Sequence, residues 1–270
     1  YVQPDRAQIW ILLSDAYWAS QMHSGAILAL NRGLVLEPQS HNAASNKLVI
    51  SESLPGLTFK EHCAMRAEFA SRWGRNLAGR IKRHTNVPHR EKVLKIGYVS
   101  ADFKEQSAAF CFGPAVKNHD KRFFEIYLYS GVVSEDLYTL EFRSAADHWI
   151  DARSLSDKEL VSRIIDDQID ILLDLSGFLA GNRLTVFAAK PAPIQITGWG
   201  FASGTGMSSI DYLFSDSVAI PAADRKYLAE EVIDQPCQIT LEGPRGAPEM
   251  VDLPFDTVGI ITFGCMNRAS

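Results

Sequence analysis

The first third of the chain carries apolar residues at helical spacing. Steps of three and four along the sequence place such residues on one face of a helix. The stripe consists of Trp10, Leu13, Tyr17, Ala26, Leu30, Gly33 and Pro38. It is interrupted around residues 22–25, so the pattern predicts two helices joined by a turn, and Pro38 ends the second helix. Two further helices are predicted at residues 41–53 and 58–83.

Beyond a polar stretch at residues 84–92, the pattern changes to alternating strands and helices. Apolar and β-branched runs predict strands at residues 93–99, 124–130, 148–151, 169–175, 194–197 and 211–214. Helices are predicted between them, at residues 107–118, 135–146, 156–168 and 183–190. Such alternation with continuous apolar runs is typical of a parallel sheet that is covered on both faces. The sequence therefore predicts a Rossmann-like, doubly wound α/β fold here, with a capping box of Ser156 and Glu159 at one helix start.

The regular pattern weakens after Pro221. Residues 241–254 are rich in Gly, Pro and charge and predict a loop, whereas residues 258–263 (VGIITF) predict a new strand. We therefore divide the chain into three regions. These are a helical region with linking helices (1–83), a Rossmann-like lobe (91–257), and the start of a truncated further lobe (258–270).

Composition and charge narrow the classes of function. The net charge of −5 and the pI of about 5.8 argue against a general nucleic-acid binder, which must neutralise many phosphates. The four cysteines form no CxxC pair and the seven histidines form no HExxH motif, so neither a zinc site nor another metal site is predicted. Dispersed cysteines suit a reducing compartment. No apolar run approaches the roughly 20 residues of a membrane helix, and no signal peptide is visible, so we expect a cytoplasmic protein.

Three segments lie where strands are predicted to end, which is the edge at which doubly wound sheets bind ligands. They are residues 100–107, 176–183 and 199–206. In the second, two glycines precede Arg183, and this combination suits either an anion-binding turn or a tight strand-to-helix turn with Arg183 on the surface. In the third, Trp199 suits either the core or the floor of a sugar site.

Several motifs together resemble the O-GlcNAc transferase family, the peptide O-linked N-acetylglucosaminyltransferases and their bacterial relatives. The resemblance covers about residues 7–270, and its most specific part is NRLTVFAAKPAPIQ at residues 182–195. The helical stripe resembles one tetratricopeptide repeat, with Ser14 where the repeat usually carries Gly; a generic helical hairpin is the alternative. One repeat cannot bury its own face, so we expect neighbouring repeats upstream.

The resemblance implies a two-lobed GT-B glycosyltransferase, of which this chain holds the end of the repeat array and the N-terminal lobe. A C-terminal lobe, missing here apart from its opening at ITFGCMNRAS, would supply most contacts to the UDP nucleotide. The implied reaction moves a sugar, GlcNAc by resemblance, from a UDP-sugar to a protein Ser or Thr. It is inverting and metal-independent, and it needs no cofactor beyond the UDP-sugar donor.

Two positions depart from the family pattern at the implied reaction centre. Gln106 stands where the family usually carries a His that is proposed to assist catalysis, and Gln cannot act as a general base. Phe178 stands where bacterial members carry a polar residue that faces the site. Asp102 is interpreted as the residue that ends the strand and caps the following helix.

Matching and departing positions together give eight residues that we expect at the site. Gln106 and His148 are the candidate catalytic residues, with a buried structural histidine as the alternative for His148. The candidate substrate-binding residues are Gly177, Phe178, Arg183, Gln195, Trp199 and Gly200.

The departures leave a second class of function open. In that interpretation the repeats bind a peptide and the α/β lobe is a vestigial sugar-nucleotide module in a non-enzymatic scaffold. An oxidoreductase that binds a dinucleotide is disfavoured, because Ser100-Ala101-Asp102 replaces GxGxxG after the first strand.

Overall fold

The computed structural model describes residues 5–74, 84–241, 243, 246, 249 and 251–263. Two of the predictions extend beyond these residues. The last part of the helix predicted at residues 58–83, from residue 75 onward, lies outside the described residues. The same holds for residues 264–270 of the predicted third region.

The N-terminal part is helical, as predicted. Its helices are α1 (Ala7–Ala19), α2 (His23–Leu36), α3 (His41–Ser51) and α4 (Phe59–Gly74), which we call the helical segment. Ala26, Leu30 and Ala43 are buried where α1, α2 and α3 meet. Gly33 faces α1, where a Cβ would lie 3.5 Å from the carbonyl oxygen of Ala7 and from Ile11. A Cβ at position 33 would thus make ordinary van der Waals contact with α1, and the packing of small residues between the helices fits a tetratricopeptide-like hairpin.

The strands of the lobe form a single parallel sheet. In chain order they are β1 (Leu94–Ser100), β2 (Phe124–Ser130), β3 (His148–Asp151), β4 (Ile171–Asp174), β5 (Ile194–Thr197), β6 (Tyr212–Ser215) and β7 (Glu231–Asp234). Within the described residues their order in the sheet is β3-β2-β1-β4-β5-β6-β7. The order runs outward in both directions from β1 and β4, so the two strands form the topological switch point. The doubly wound α/β prediction is confirmed.

Helices cover both faces of the sheet. They are α5 (Ser107–Lys117), α6 (Leu137–Ala145), α7 (Asp157–Asp166) and α8 (Leu184–Ala188). On one face, α5 and α6 bury Phe112 and Phe142 against the sheet. On the other face, α7 and α8 share a core with Phe69 and Trp73 of α4. The helical segment is therefore packed directly onto the lobe, through the same apolar cluster that stabilises the sheet.

Two sequence predictions near the end of the lobe need correction. Strand β7 was not predicted, because the short sequence Glu231–Asp234 lies at the sheet edge and has no continuous apolar run. The strand predicted at residues 258–263 is not formed. A short helix, α9 (Pro254–Val258), precedes residues 259–263, which have no regular structure and are exposed. An apolar run becomes a strand only when a partner strand satisfies its backbone groups, and the described residues offer none there.

Among the described residues, no helix is both long enough and apolar enough to span a bilayer.

Candidate active site

The turns that follow β1, β4 and β5 meet at the carboxyl edge of the sheet. A Cβ placed on Gly181 would lie 2.6 Å from the Cβ of Ala101, in the turn after β1. A Cβ on Gly200 would lie 2.1 Å from the carbonyl oxygen of Leu175, at the end of β4. The three segments expected to lie together are therefore in van der Waals contact at the switch point. Glycine is required at these positions because protein atoms occupy the space of a side chain.

Asp174, the last residue of β4, organises this edge. Its Oδ1 accepts a hydrogen bond from the backbone N–H of Ser176 (3.1 Å), and its Oδ2 accepts from the N–H of Gly177 (3.0 Å) and the hydroxyl of Thr197 (2.8 Å). Burial raises the pKa of this carboxyl group to about 6, and the three donors only partly oppose the effect. Asp174 thus links the ends of β4 and β5. The sequence analysis missed it, although a charged residue in the apolar run ILLDL was the available signal.

The first residues of the turn at 176–183 are buried against protein, whereas Ala180 and Gly181 are exposed. Phe178 is fully buried, and its ring packs edge-on against Phe69 of α4 and Phe201, each with ring centroids 5.1 Å apart. Gly177 has a φ of +54°, and a Cβ there would lie 2.3 Å from the Cβ of Phe201. This corrects the expectation that Phe178 faces the site, because an apolar side chain at this position completes the core instead. Gly177 likewise approaches Phe201.

Arg183 makes three contacts within the lobe. Its Nε lies 2.7 Å from Asp157 Oδ1, and its two Nη atoms donate to the carbonyl oxygens of Ala152 and Leu155 at 3.1 and 2.8 Å. The guanidinium therefore joins the turn after β4 to the start of α7. Of the two interpretations of this segment, these contacts favour the strand-to-helix turn over an anion-binding turn.

Two predicted site residues lie away from the carboxyl edge. His148 begins β3 and pairs in register with Tyr127, three residues or about 10 Å before the strand ends. Its ring stacks on Tyr127 at 4.1 Å, and its Nε2 lies 2.7 Å from Glu125 Oε1. Gln195 is fully buried in β5, where its Nε2 donates to the carbonyl oxygens of two other residues. The structure does not bring His148 to Gln106, and burial excludes Gln195 from direct contact with a ligand at this edge.

Gln106 does lie at the carboxyl edge, and it is the N-cap of α5, which corrects the interpretation of Asp102 as the cap of this helix. Its Oε1 accepts a hydrogen bond from the backbone N–H of Ala108 at 3.4 Å. Its side chain also hydrogen-bonds Asp102, whose pKa is raised by burial, against opposing effects of Lys104 and Gln106. A partly buried carboxylate paired with an amide thus stands where the family resemblance implies a histidine.

Trp199 and Gly200 form the half-buried part of the turn after β5. Trp199 has a φ of +61°, a conformation that bulky residues rarely adopt. Its ring packs on Phe214, with centroids 5.6 Å apart. Backbone strain at a position of this kind is retained when the surrounding structure imposes it, and such positions cluster at binding sites. Trp199, Gly200, Gln106 and Asp102 are each partly exposed, so a ligand at this edge could contact them.

Across the ranges that the structure describes, no three His, Cys, Asp or Glu side chains converge in a way that could hold a metal ion.

Comparison with known proteins places this site in context. Residues 79–236 match the profile of glycosyl transferase family 41, which covers the whole parallel sheet up to β7. The chain is 30% identical over 245 residues to the probable UDP-N-acetylglucosamine–peptide N-acetylglucosaminyltransferase SPINDLY of Arabidopsis thaliana; the match covers 86% of the chain and 26% of the relative. It is 32% identical over 190 residues to the probable transferase SEC of the same plant, a match that covers 66% of the chain and 19% of SEC.

A solved structure agrees with these matches. An O-GlcNAc transferase variant from Thermobaculum terrenum superposes with a TM-score of 0.84 at 28% identity, over 92% of this chain and 48% of that one. The chain thus spans about a quarter of the length of the SPINDLY relative and about half of the solved structure.

Proposed function

Because the chain belongs to glycosyl transferase family 41, we propose that it forms part of an enzyme that transfers a sugar, GlcNAc, from a UDP-sugar to a serine or threonine hydroxyl of an acceptor protein. The supporting observation is the conjunction of the family match with the carboxyl edge at β1, β4 and β5, where three turns contact one another around Asp174. That is the edge at which doubly wound lobes bind nucleotides and sugars.

In this proposal the lobe supplies one wall of the site. The acceptor oxygen forms a bond to the anomeric carbon while the bond from that carbon to the diphosphate breaks, with inversion, and the UDP leaves with the electron pair. A second lobe would hold the UDP, and its backbone N–H groups and cations would stabilise the leaving diphosphate without a metal ion. Addition of EDTA is therefore expected to leave the transfer rate unchanged.

The acceptor hydroxyl must lose its proton, and the residues at this edge limit where the proton can go. Gln106 cannot accept it. Asp102 can, because burial raises its pKa and the amide of Gln106 holds it by a hydrogen bond. We therefore assign Asp102 as the candidate proton acceptor, with Gln106 as its orienting partner and with Trp199 and Gly200 against the sugar.

Kinetics on the full-length protein can test this assignment. Asp102→Asn keeps the size of the side chain but cannot take up a proton, so kcat is expected to fall by about 100-fold or more. KM for the UDP-sugar should change little. Glu105→Gln, three positions further along the same turn and exposed, is the matched control. Equal kcat values for both variants would remove Asp102 from the proposal.

One observation favours the alternative of a non-enzymatic scaffold. The turn at residues 176–183 uses its backbone N–H groups internally: Gly177 donates to Asp174, and Leu179 and Asn182 donate to carbonyl oxygens of the same turn. A vestigial lobe would keep such packing and lose donor binding.

Incubation of the full-length protein with labelled UDP-GlcNAc and other UDP-sugars separates the two functions. Transfer or hydrolysis that Asp102→Asn abolishes supports the enzyme. No turnover, together with no heat of UDP binding in calorimetry, supports the scaffold. The cytoplasmic location expected from the cysteines remains a prediction, which fractionation of cells that express the tagged protein would check.

A further inference from the structure

We propose that Arg66, on helix α4 of the helical segment, is a positioning residue for the loop at residues 199–206, so that α4 forms the rear wall of the candidate site. The inference rests on the proposed function only in taking Trp199 and Gly200 of this loop as site residues. The packing that carries it is independent of that function.

The side chain of Arg66 is a buried charge between two parts of the molecule. It is only 1% exposed. Its Nη1 lies 2.6 Å from Glu52 Oε1, just after α3, and its Nη2 donates to the Sγ of Cys63 at 3.2 Å. The guanidinium carbon lies 5.9 Å from the centre of the Phe201 ring, within cation–π distance. Arg66 thus joins the helical segment to the loop.

The backbone of α4 also contacts the far end of the loop. Gly206 has a φ of +72°, and a Cβ there would lie 2.8 Å from both the carbonyl carbon of Arg66 and the backbone nitrogen of Ala67. Only glycine fits at this distance from another backbone. The loop therefore lies flush against α4, and a displacement of the helix would displace the loop.

Phe201 transmits the position of α4 to the site. Its ring packs edge-on against Phe178, which packs edge-on against Phe69 of α4. Its Cβ fills the space that Gly177 leaves open. Phe201 is therefore held from the helix side and from the turn after β4, and its chain neighbour is Gly200. A change in the packing of the Phe201 side chain is therefore expected to shift the backbone at Gly200 and Trp199.

A second buried polar residue also holds the end of the loop. Glu230, just before β7, is buried, and its Oε1 accepts hydrogen bonds from the N–H of Thr205 (2.6 Å), the hydroxyl of Thr205 (2.5 Å) and the N–H of Gly206 (3.2 Å). The end of the loop is thus fixed between Arg66 and Glu230. Trp199 and Gly200, at the other end of the loop, are partly exposed.

Stability alone does not account for the buried arginine. Replacing a buried ion pair by apolar side chains of similar volume is often neutral or even stabilising. The guanidinium carbon of Arg66 lies 5.6 and 5.9 Å from the ring centres of Phe59 and Phe201. Because the same planar group also pairs with Glu52, its orientation is fixed, and this orientation determines where the ring of Phe201 can pack. A small cavity of about 130 Å³, bordered by Arg66, Cys63 and Gly206, leaves room for the loop to move if that group is removed.

The chain has five tryptophans, and fluorine NMR of the protein labelled with 5-fluorotryptophan can test the proposal. Trp199 is assigned by the signal lost in Trp199→Phe. In Arg66→Met, the Trp199 signal is expected to shift or broaden, while the signals of Trp10, Trp18 and Trp149 stay in place and report an intact fold. The matched control is Arg163→Met, which breaks an exposed pair with Asp167; it should leave the Trp199 signal unchanged.

A conservative variant keeps the test decisive if Arg66→Met does not fold. Arg66→Lys retains the charge toward Glu52 but loses the planar contact with Phe201, so a smaller shift of the Trp199 signal is expected. An unshifted Trp199 signal in whichever variant folds would overturn the proposal.

Kinetics then separate positioning from the proposed function. In an active full-length protein, Arg66→Lys should lower kcat by about 10- to 100-fold, because small displacements of site groups are costly. KM should change far less. If the unsubstituted full-length protein has no transferase activity but the Trp199 signal shifts in the Arg66 variants, the proposed function is wrong and the positioning role is retained. Unaltered kcat and an unaltered Trp199 signal in an active enzyme would defeat the positioning role alone.

Discussion

Phe178, in the turn after β4, packs edge-on against Phe69 of helix α4, with ring centroids 5.1 Å apart and the ring planes at 89°. A residue of the candidate site edge and a residue of the helical segment are thus parts of one apolar core. Substitutions in this region are therefore expected to affect stability and the geometry of the site together.

Asp174 should make stability depend on pH in the direction opposite to that of most carboxylates. Its folded pKa of about 6 lies above the ordinary value of 3.8, so its favourable contribution to folding is fully present below pH 3.8 and is lost as the pH rises through 6. The shift of about two pKa units corresponds to roughly 3 kcal/mol. The side chain in Asp174→Asn cannot ionise, so this variant lacks the loss of stability that the wild type undergoes between pH 4 and 7. The free energy of unfolding of the variant should therefore rise relative to that of the wild type over this range.

Urea unfolding of both proteins across this pH range measures the effect. The difference between the two isolates Asp174 from other carboxyls, such as Asp151, whose pKa is lowered to about 2 by Arg153. A difference that stays constant with pH would show that Asp174 titrates as it does in water.

Gly177→Ala should destabilise the protein more than its backbone conformation alone explains. The new Cβ would meet Phe201, and overpacking of this kind costs about 1–3 kcal/mol. Gly56→Ala is the control, because Gly56 has a φ of +93° and no atom within 4 Å of an added Cβ. Its φ is further from the left-handed minimum near +57° than that of Gly177, so it carries at least as much backbone strain. Chemical denaturation of both should rank Gly177→Ala as clearly the less stable.

Arg183→Gln should cost stability because three acceptors lose a charged donor. Hydrogen bonds to charged groups contribute about 1.5–3 kcal/mol when one partner is removed, and the side chain of Arg183 is only 20% exposed. Arg163→Gln removes an arginine that is 48% exposed and makes one ion pair, with Asp167. Its loss of stability is expected to be below about 1 kcal/mol. Thermal unfolding compares the two. Equal losses would show that the contacts of Arg183 with Asp157, Ala152 and Leu155 add nothing beyond a surface ion pair.

Ser156→Ala should weaken the start of α7. The hydroxyl of Ser156 accepts from the N–H of Glu159, and the carboxylate of Glu159 accepts from the N–H of Ser156. Loss of a serine N-cap costs about 1 kcal/mol. Ser40→Ala at α3 removes a cap with a single bond of 3.4 Å and no reciprocal partner, so a smaller loss is expected. A larger loss at Ser40 would contradict the importance of the reciprocal bond.

The fold could be predicted from the sequence to the extent that periodicity reports burial. The interior strands at residues 124–130 and 194–197 were predicted with the bounds that the structure shows, because their apolar residues are buried in the sheet. The edge strand at residues 148–151 was also predicted with its observed bounds. The edge strand β7 and the exposed run at residues 258–263 were not predicted correctly. In these two segments hydrophobicity and strand formation do not coincide, since a strand depends on a hydrogen-bonded neighbour that the local sequence does not contain.

The meeting of the three turns at the carboxyl edge was predictable from the sequence, but the contacts within them were less so. The glycines at 177 and 200 did indicate close approach of another group, but the groups that approach are Phe201 and Leu175 rather than a ligand. Sequence position could not tell which side of the turn Phe178 faces. The partner that buries it, Phe69, lies more than a hundred residues away in a part of the chain interpreted separately.

The parallel sheet has a consequence for how this protein is made. The central pairing of β1 with β4 joins residues 75 positions apart, as in the bond from the N–H of Lys95 to Asp170, and none of its neighbouring strands are linked by a tight hairpin. On the ribosome, β1 and β2 are therefore synthesised well before β4, the strand that completes the middle of the sheet. During that interval their apolar faces are open, so synthesis is the stage at which this lobe most needs a chaperone.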